Sequence, residues 1–416
     1  MVKRRVVITG LGAIASNGIG KEKFWKATLN GESGIREISR FDASTYPCRY
    51  AGEVRNFDPY ESLSPKEIRR MSRISQLATA CSQMAVEDAN LELAGVDPYK
   101  LGVILGCTIG PIDLLETYVI LLYEKGLKRL SPFAYGMWNQ NAVTGAVANR
   151  FGAKGYNMTL TSGCSSGNAA ITTAFDRISG GNEDVMICGG VDAPIFSPVF
   201  ATYVAAGLLT TDNSDPGKAL RPYDKTRSGF ILAEGAGIIV LESLDHALKR
   251  GSDIYAEVLG YGITNDATDE SVFNSSPGEV IEAFEFALKN SQLSIDEIDL
   301  VAGHAHSSPN VDKKEIDAVS SLIGRRDRKI MIYAIKSMIG NALAGSAAIQ
   351  TVSLALSIKE KVVPPTLNCK DPDFDTDRMT VSSETVPAEV RTAVVTSFGL
   401  GGSNVVLALR EFNNIP

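Results

Sequence analysis

Apolar residues fall along this chain in two alternating rhythms. Short, nearly continuous apolar runs bounded by glycines or polar clusters read as buried strands, and the stretches between them carry helical spacing. Strands are expected at Val6–Gly10, Leu101–Leu105, Val185–Cys188 and Gly235–Leu241, then at Ala256–Gly260, Leu300–Gly303 and Ala393–Ser397. Helices are expected at Lys21–Leu29, Lys66–Ala89, Pro277–Asn290 and Asp312–Leu322, with a helix rich in small residues over 339–358. A further strand runs through Thr159 and Leu160 into a turn of tiny residues and a helical run from Ala169 to Ile178. Residues 111–150 carry aromatic and methionine side chains without a clear period, as a lid, tunnel wall or subunit interface would.

Alternation of strands and helices is the signature of an α/β fold. The pattern restarts after Lys249-Arg250-Gly251, and a strand followed by a double glycine occurs at 185–190 and again at 393–402. These features point to an internal duplication with its boundary near residue 255. The halves, 1–255 and 256–416, have no linker-like stretch between them and are expected to share one core.

Composition narrows the function classes. The chain has 416 residues and a net charge of -7, which speaks against a nucleic-acid surface. Six scattered cysteines form no CxxC pair, so free thiols in a reducing compartment are expected, and no His/Cys/Asp cluster has the spacing of a metal site. The first fifteen residues place positive charge before an apolar run. Thr9, Gly10 and Gly12 interrupt that run, and it reads as a first buried strand rather than a signal peptide. No stretch has the length of a membrane span. The expected protein is soluble and cytoplasmic.

The candidate chemistry centres on Cys164, in Thr161-Ser162-Gly163-Cys164-Ser165-Ser166-Gly167. A lone cysteine is most often a small buried hydrophobe. Here the glycines and serines leave the thiol on a sharp turn before a helix, where unpaired N–H groups favour a thiolate. Cys164 is therefore a candidate nucleophile. His304 follows a strand in Gly303-His304-Ala305-His306-Ser307-Ser308, at the strand edge where α/β sites gather. His246 lies in a charged helix and is expected to be solvated. Lys336 and Asn341 flank the start of the small-residue helix, Asn341 either as its N-cap or as a site residue. Ser397-Phe398-Gly399-Leu400-Gly401-Gly402 forms a glycine loop suited to an oxyanion or a phosphate. Gly10-Leu11-Gly12 loosely imitates a dinucleotide fingerprint, but no acidic strand end follows at the distance ribose binding needs.

Taken together, these residues resemble the β-ketoacyl-acyl-carrier-protein synthase II family and its polyketide ketosynthase relatives. The resemblance runs from Val6-Val7-Ile8-Thr9-Gly10 through Arg221-Pro222-Tyr223-Asp224 and Glu234-Gly235-Ala236-Gly237 to Lys336-Ser337-Met338 and Gly399-Leu400-Gly401-Gly402. It implies a thiolase fold of five αβαβα layers in two similar halves. It also implies a chain that works as a homodimer, or as a heterodimer with a related subunit. By position, Cys164 would be acylated from the phosphopantetheine of an acyl carrier protein, with no other cofactor and no metal. The N–H groups of Cys164 and Leu400 would form the oxyanion hole, while His304, Asn341 and Lys336 would complete the catalytic set. Ile109, Phe230, His306, Ser308, Phe398 and Leu400 would contact substrate, and Asp312 and Glu315 match acids near the lysine.

The chain departs from the family pattern in several places. Asn341 stands where the family has a second histidine, and Gln350 where it has an acid. His306-Ser307-Ser308 replaces Thr-Ser-Thr, Leu400 replaces a phenylalanine gate, and the loop near 264–276 looks short. The implied reaction is decarboxylative Claisen condensation with malonyl-acyl carrier protein. Asn341 keeps two alternatives open: non-decarboxylative condensation or acyl transfer at Cys164, and a partner subunit that sets chain length.

Overall fold

The computed structural model describes residues 3–268, 275–324 and 329–413. Ten strands form its frame. They are β1 (Val6–Ala15), β2 (Leu101–Gly106), β3 (Asn157–Leu160), β4 (Val185–Asp192) and β5 (Gly235–Ser243), followed by β6 (Ala256–Asn265), β7 (Leu300–Ala302), β8 (Ile330–Tyr333), β9 (Thr392–Phe398) and β10 (Ser403–Arg410). They join one sheet in the order β8-β7-β9-β10-β6-β1-β5-β4-β2-β3.

Outward from the antiparallel β1/β6 junction, both sets of five run first, fifth, fourth, second, third. The pairing senses repeat as well. β1/β5, β5/β4, β6/β10 and β10/β9 are antiparallel, whereas β4/β2, β2/β3, β9/β7 and β7/β8 are parallel. The duplication is thus a repeat of topology. The double glycines that pointed to it are not equivalent to each other. Gly189 and Gly190 lie inside β4, while Gly401 and Gly402 turn the β9–β10 hairpin with φ of 87° and 82°.

Parallel neighbours need crossovers, and helices supply them. The helix Ala344–Glu360 packs on β4 and β5 on one side and on β9 on the other, with Ser166–Ser179 beside it. Apart from Gln350 its buried stretch, Ala344 through Ile358, is apolar or small all round, as a helix packed between the two halves of the sheet must be. Arg73–Asp88 and Ala142–Phe151 cover the outer face of the first strands, and Gly278–Ser291 and Pro309–Ile323 cover the second set. The five layers enclose three apolar seams. The middle one, including Val6, Ile8, Ile349 and Val395, joins the two halves. Among the described residues no helix is long and apolar enough to cross a membrane.

Three expectations change. The helix over 66–89 is two helices, Pro65–Ile68 and Arg73–Asp88. It is interrupted at Ser72, whose hydroxyl caps the second by accepting from the Ser75 N–H. Residues 339–358 are likewise split into Lys336–Ile339 and Ala344–Glu360, with Gly340 and Leu343 at φ of 75° and 50° between them. The stretch 111–150 is largely helical: Ile112–Lys125, Ala134–Met137 and Ala142–Phe151. The loop near 264–276 falls partly outside the described residues, since β6 runs to Asn265 and 269–274 are not described.

Gly10 and Gly12 lie inside β1. A Cβ at these positions would sit 2.2 Å from the Ala85 carbonyl oxygen and 2.3 Å from that of Cys81. Helix packing, not phosphate binding, accounts for that Gly-x-Gly.

Candidate active site

The chemistry gathers at the C-terminal ends of β2, β3, β7 and β9 and in the turn before Ala344. Cys164 lies in the turn between β3 and Ser166–Ser179 and is only 3% exposed. Gly163 makes the turn at φ 68°, and a Cβ there would sit 3.1 Å from the Leu400 nitrogen. A Cβ on Gly399 would meet the Cys164 nitrogen at 3.2 Å. The two backbones can approach only because both positions lack a side chain. Among the described residues neither the Cys164 nor the Leu400 N–H donates to another residue's backbone carbonyl.

Around the sulfur the wall is apolar. Cys164 shares a buried cluster with Cys48, Phe200, Leu209, Phe230, Leu232 and Leu343, against which Ile109 and Tyr203 pack. Burial pushes the thiol up to about 11, opposed by Lys336 and by the neighbouring Asn341 amide and reinforced by Asp192. In the resting protein burial therefore outweighs the helix start, and Cys164 is a thiol at neutral pH.

His304 is held from several sides. Its backbone N–H donates to Glu315 Oε1 at 2.7 Å and to Thr396 Oγ1 at 2.8 Å. Its Nδ1 accepts from Lys336 Nζ at 3.0 Å and from the Phe398 N–H at 3.2 Å. Two donors at Nδ1 place the ring proton on Nε2, which has no hydrogen-bond partner among the described residues. Burial first, and Lys336 next, hold the imidazole well below its ordinary range, so it is neutral. Burial also brings Lys336 down to about 8.

Asn341 is fixed through its backbone, donating to the Ile231 carbonyl at 2.8 Å and accepting from the Ala233 N–H at 2.9 Å. Its Oδ1 accepts from the Leu343 N–H at 3.1 Å. Among the described residues Nδ2 meets no acceptor at hydrogen-bond geometry, although it lies near enough to the sulfur to favour its ionisation. It is not the N-cap of Ala344–Glu360, a position held by Leu343. The site thus has two buried N–H donors on neutral groups, His304 Nε2 and Asn341 Nδ2, the second of them beside the Cys164 thiol.

The acids are structural anchors. Asp312 accepts from the N–H groups of His306, Ser307, Ser308 and Tyr223. Glu315 accepts from those of His304 and Ala305 and from the Tyr223 hydroxyl. Together they hold the loop that follows β7. The His306 ring lies 5.1 Å from that of His304 and 4.7 Å from that of Phe230, and Phe398 lies 5.1 Å from His304, all between centroids. Ser308 meets Asp312 and Arg227 through its backbone. Gln350 bonds the carbonyls of Ala302 and Thr396 rather than Lys336.

His246 is not a solvated side chain, since its Nδ1 bonds the buried Glu242. Among the described residues no group of three or more His, Cys, Asp and Glu side chains is placed to hold a metal ion. Sequence reasoning missed Asp192, Thr108 and Tyr203. The one local signal for Asp192 was a charged residue ending an otherwise apolar strand.

Residues 3–247 match the model of the β-ketoacyl synthase N-terminal domain, and residues 255–370 that of the C-terminal domain. The chain is 38% identical over 410 residues to 3-oxoacyl-[acyl-carrier-protein] synthase 2 of Synechocystis sp., covering 99% of both chains. Among solved structures it is similar to the ishigamide ketosynthase/chain length factor, with a TM-score of 0.91 at 32% identity, covering 99% of this chain and 100% of the other. A second is a type II polyketide synthase acyl-carrier protein in complex with its ketosynthase bound to the hexaketide. Its TM-score is 0.89 at 29% identity, with 99% of this chain and 100% of that one covered. Two family models that together span most of the chain, and a relative 38% identical over nearly its whole length, make this chain a member of the β-ketoacyl synthase family.

Proposed function

We propose that the protein is a ketosynthase that joins a Cys164-bound acyl chain to malonyl-acyl carrier protein by decarboxylative Claisen condensation, in fatty acid or type II polyketide synthesis. The observation that carries this reading is the pair of buried donors, His304 Nε2 and Asn341 Nδ2, that have no hydrogen-bond partner among the described residues, the second of them beside the Cys164 thiol. An enolate needs donors of this kind rather than a base.

In the first half-reaction the Cys164 sulfur attacks the thioester carbonyl of an acyl-phosphopantetheine. The Cys164 and Leu400 N–H groups hold the tetrahedral oxyanion, and the thiol proton leaves with the departing pantetheine sulfur. In the second, the malonyl carboxylate departs as carbon dioxide. The electron pair of that C–C bond becomes an enolate whose oxygen lies between His304 Nε2 and Asn341 Nδ2. The enolate carbon attacks the Cys164 thioester, forming the new C–C bond and expelling the thiolate, which is then reprotonated. Lys336 acts on the substrate through His304, fixing its tautomer. Ile109, Phe230, Phe398 and Leu400 line the acyl and pantetheine path, with His306 and Ser308 toward pantetheine.

The acyl carrier protein is the expected partner and its phosphopantetheine the only carrier required. A second copy, or a related ketosynthase-like subunit, is the expected companion. That assembly is supported by the free edge of β3 and by the helix Ile112–Lys125, where Ile120 is 49% and Tyr123 86% exposed. The repeated strand order supports a division into halves at 1–255 and 256–416. A cytoplasmic location completes the reading.

The test supplies an acyl-loaded carrier protein, then malonyl-carrier protein, and follows all species by intact-protein mass spectrometry. A 3-ketoacyl product two carbons longer is expected. Acyl-Cys164 formed without carbon dioxide release overturns condensation in favour of acyl transfer or a non-decarboxylative reaction. Absence of acylation favours a chain-length-setting subunit.

A further inference from the structure

Asp192 ends β4 fully buried, and among the described residues it has no cationic partner. Its Oδ1 accepts from the Ile109 N–H at 3.0 Å, and its Oδ2 from the N–H groups of Thr108 at 2.9 Å and Ala344 at 3.0 Å. Ala344 opens the central helix three residues after Asn341 and also donates to Thr108 Oγ1 at 3.2 Å. That hydroxyl in turn donates to the Gly163 carbonyl at 2.9 Å, next to the nucleophile. One carboxylate thus receives the Ile109 wall of the acyl pocket and the turn carrying Asn341. Through Thr108 it also reaches the turn carrying Cys164.

A buried carboxylate without a counter-charge is costly, and burial pushes this one up to about 6. Its compensation is geometric, because an ionised carboxylate only accepts and can take several N–H groups from separate segments. It also sits at the N-terminus of a 17-residue helix, where the macrodipole favours negative charge.

We propose that Asp192 is a positioning residue for the condensation, a common anchor that sets Asn341 against Cys164 without touching substrate. An isosteric amide cannot replace it. Asparagine offers one acceptor oxygen and turns its NH2 toward N–H groups that themselves donate, so one segment is released. Misplacement of a donor by about 1 Å is enough to slow a reaction about 100-fold.

The inference rests on the ketosynthase reading, so the wild-type protein is assayed alongside. Folded Asp192→Asn, checked by its melting curve, is expected to condense about 10- to 100-fold more slowly, with KM for malonyl-carrier protein changed less than about twofold. In an Asn341→Ala background the same substitution should cost only about threefold, since the anchored amide is already gone. Thr108→Val keeps the carboxylate and removes the hydroxyl link. It should lower kcat by a smaller amount, about 3- to 10-fold, with little change in KM, and it decides the matter if Asp192→Asn does not fold. Native rates from the folded variants, or a full additive loss in the Asn341→Ala background, overturn the role of Asp192 while leaving the reading intact. No product from wild type overturns both.

Discussion

The two halves of the molecule share one strand order but use it differently at the start of their central helices. In the first half, β3 reaches Ser166–Ser179 through residues 161–165 alone, and that short turn holds the thiol. In the second, β8 reaches Ala344–Glu360 through residues 334–343, long enough for the helical turn Lys336–Ile339 and the strained approach to Leu343 at φ 50°. The short connection carries a cysteine, and the long one carries a lysine and an amide donor. In the proposed reaction, connections of different length on a frame that stays the same divide the covalent bond from the stabilisation of charge.

This contrast can be broken at its strongest point first. Cys164→Ala should abolish acyl loading, with condensation reduced by about 1,000-fold or more, visible as the absence of any acyl-enzyme mass. His304→Ala should separate the halves: acyl-Cys164 still forms, while carbon dioxide release from malonyl-carrier protein falls about 100- to 10,000-fold.

The electrostatic link between the halves is read by alkylation of Cys164. Because burial holds the thiol near 11, its alkylation should rise about tenfold per pH unit from neutrality. Lys336 favours the thiolate only while charged, so the rise should flatten as the pH passes about 8. Lys336→Met should slow alkylation at pH 7 and remove that break. The smallest effect is expected from Asn341→His, which keeps a donor at the same place and should leave condensation within about threefold of wild type, or raise it. Abolished activity in a folded variant would give the asparagine a dedicated role.

Much of the fold was legible because strands buried on both faces leave unbroken apolar runs such as Val6–Ile8 and Val394–Val395. The break at Ser72 was not, since the helical period continues across it and only a cap marks the interruption. The helix Ile112–Lys125 escaped for the opposite reason. It buries no residue, so no core-facing stripe is written into it. At the site, Cys164, His304, Lys336 and Asn341 stood out because small residues surround them. Asp192 did not, because its meaning lies in three N–H groups from segments 83 to 152 positions away.

The two hydrogen bonds that enter His304 Nδ1 have a consequence for the whole cycle. They pin the one proton of the ring in place, so in the condensation proposed above the imidazole works as a fixed dipole and not as a relay. In that scheme no proton is in flight while carbon dioxide leaves or while the carbon–carbon bond closes. Proton traffic is then confined to sulfur, leaving Cys164 when the chain arrives and returning when it departs.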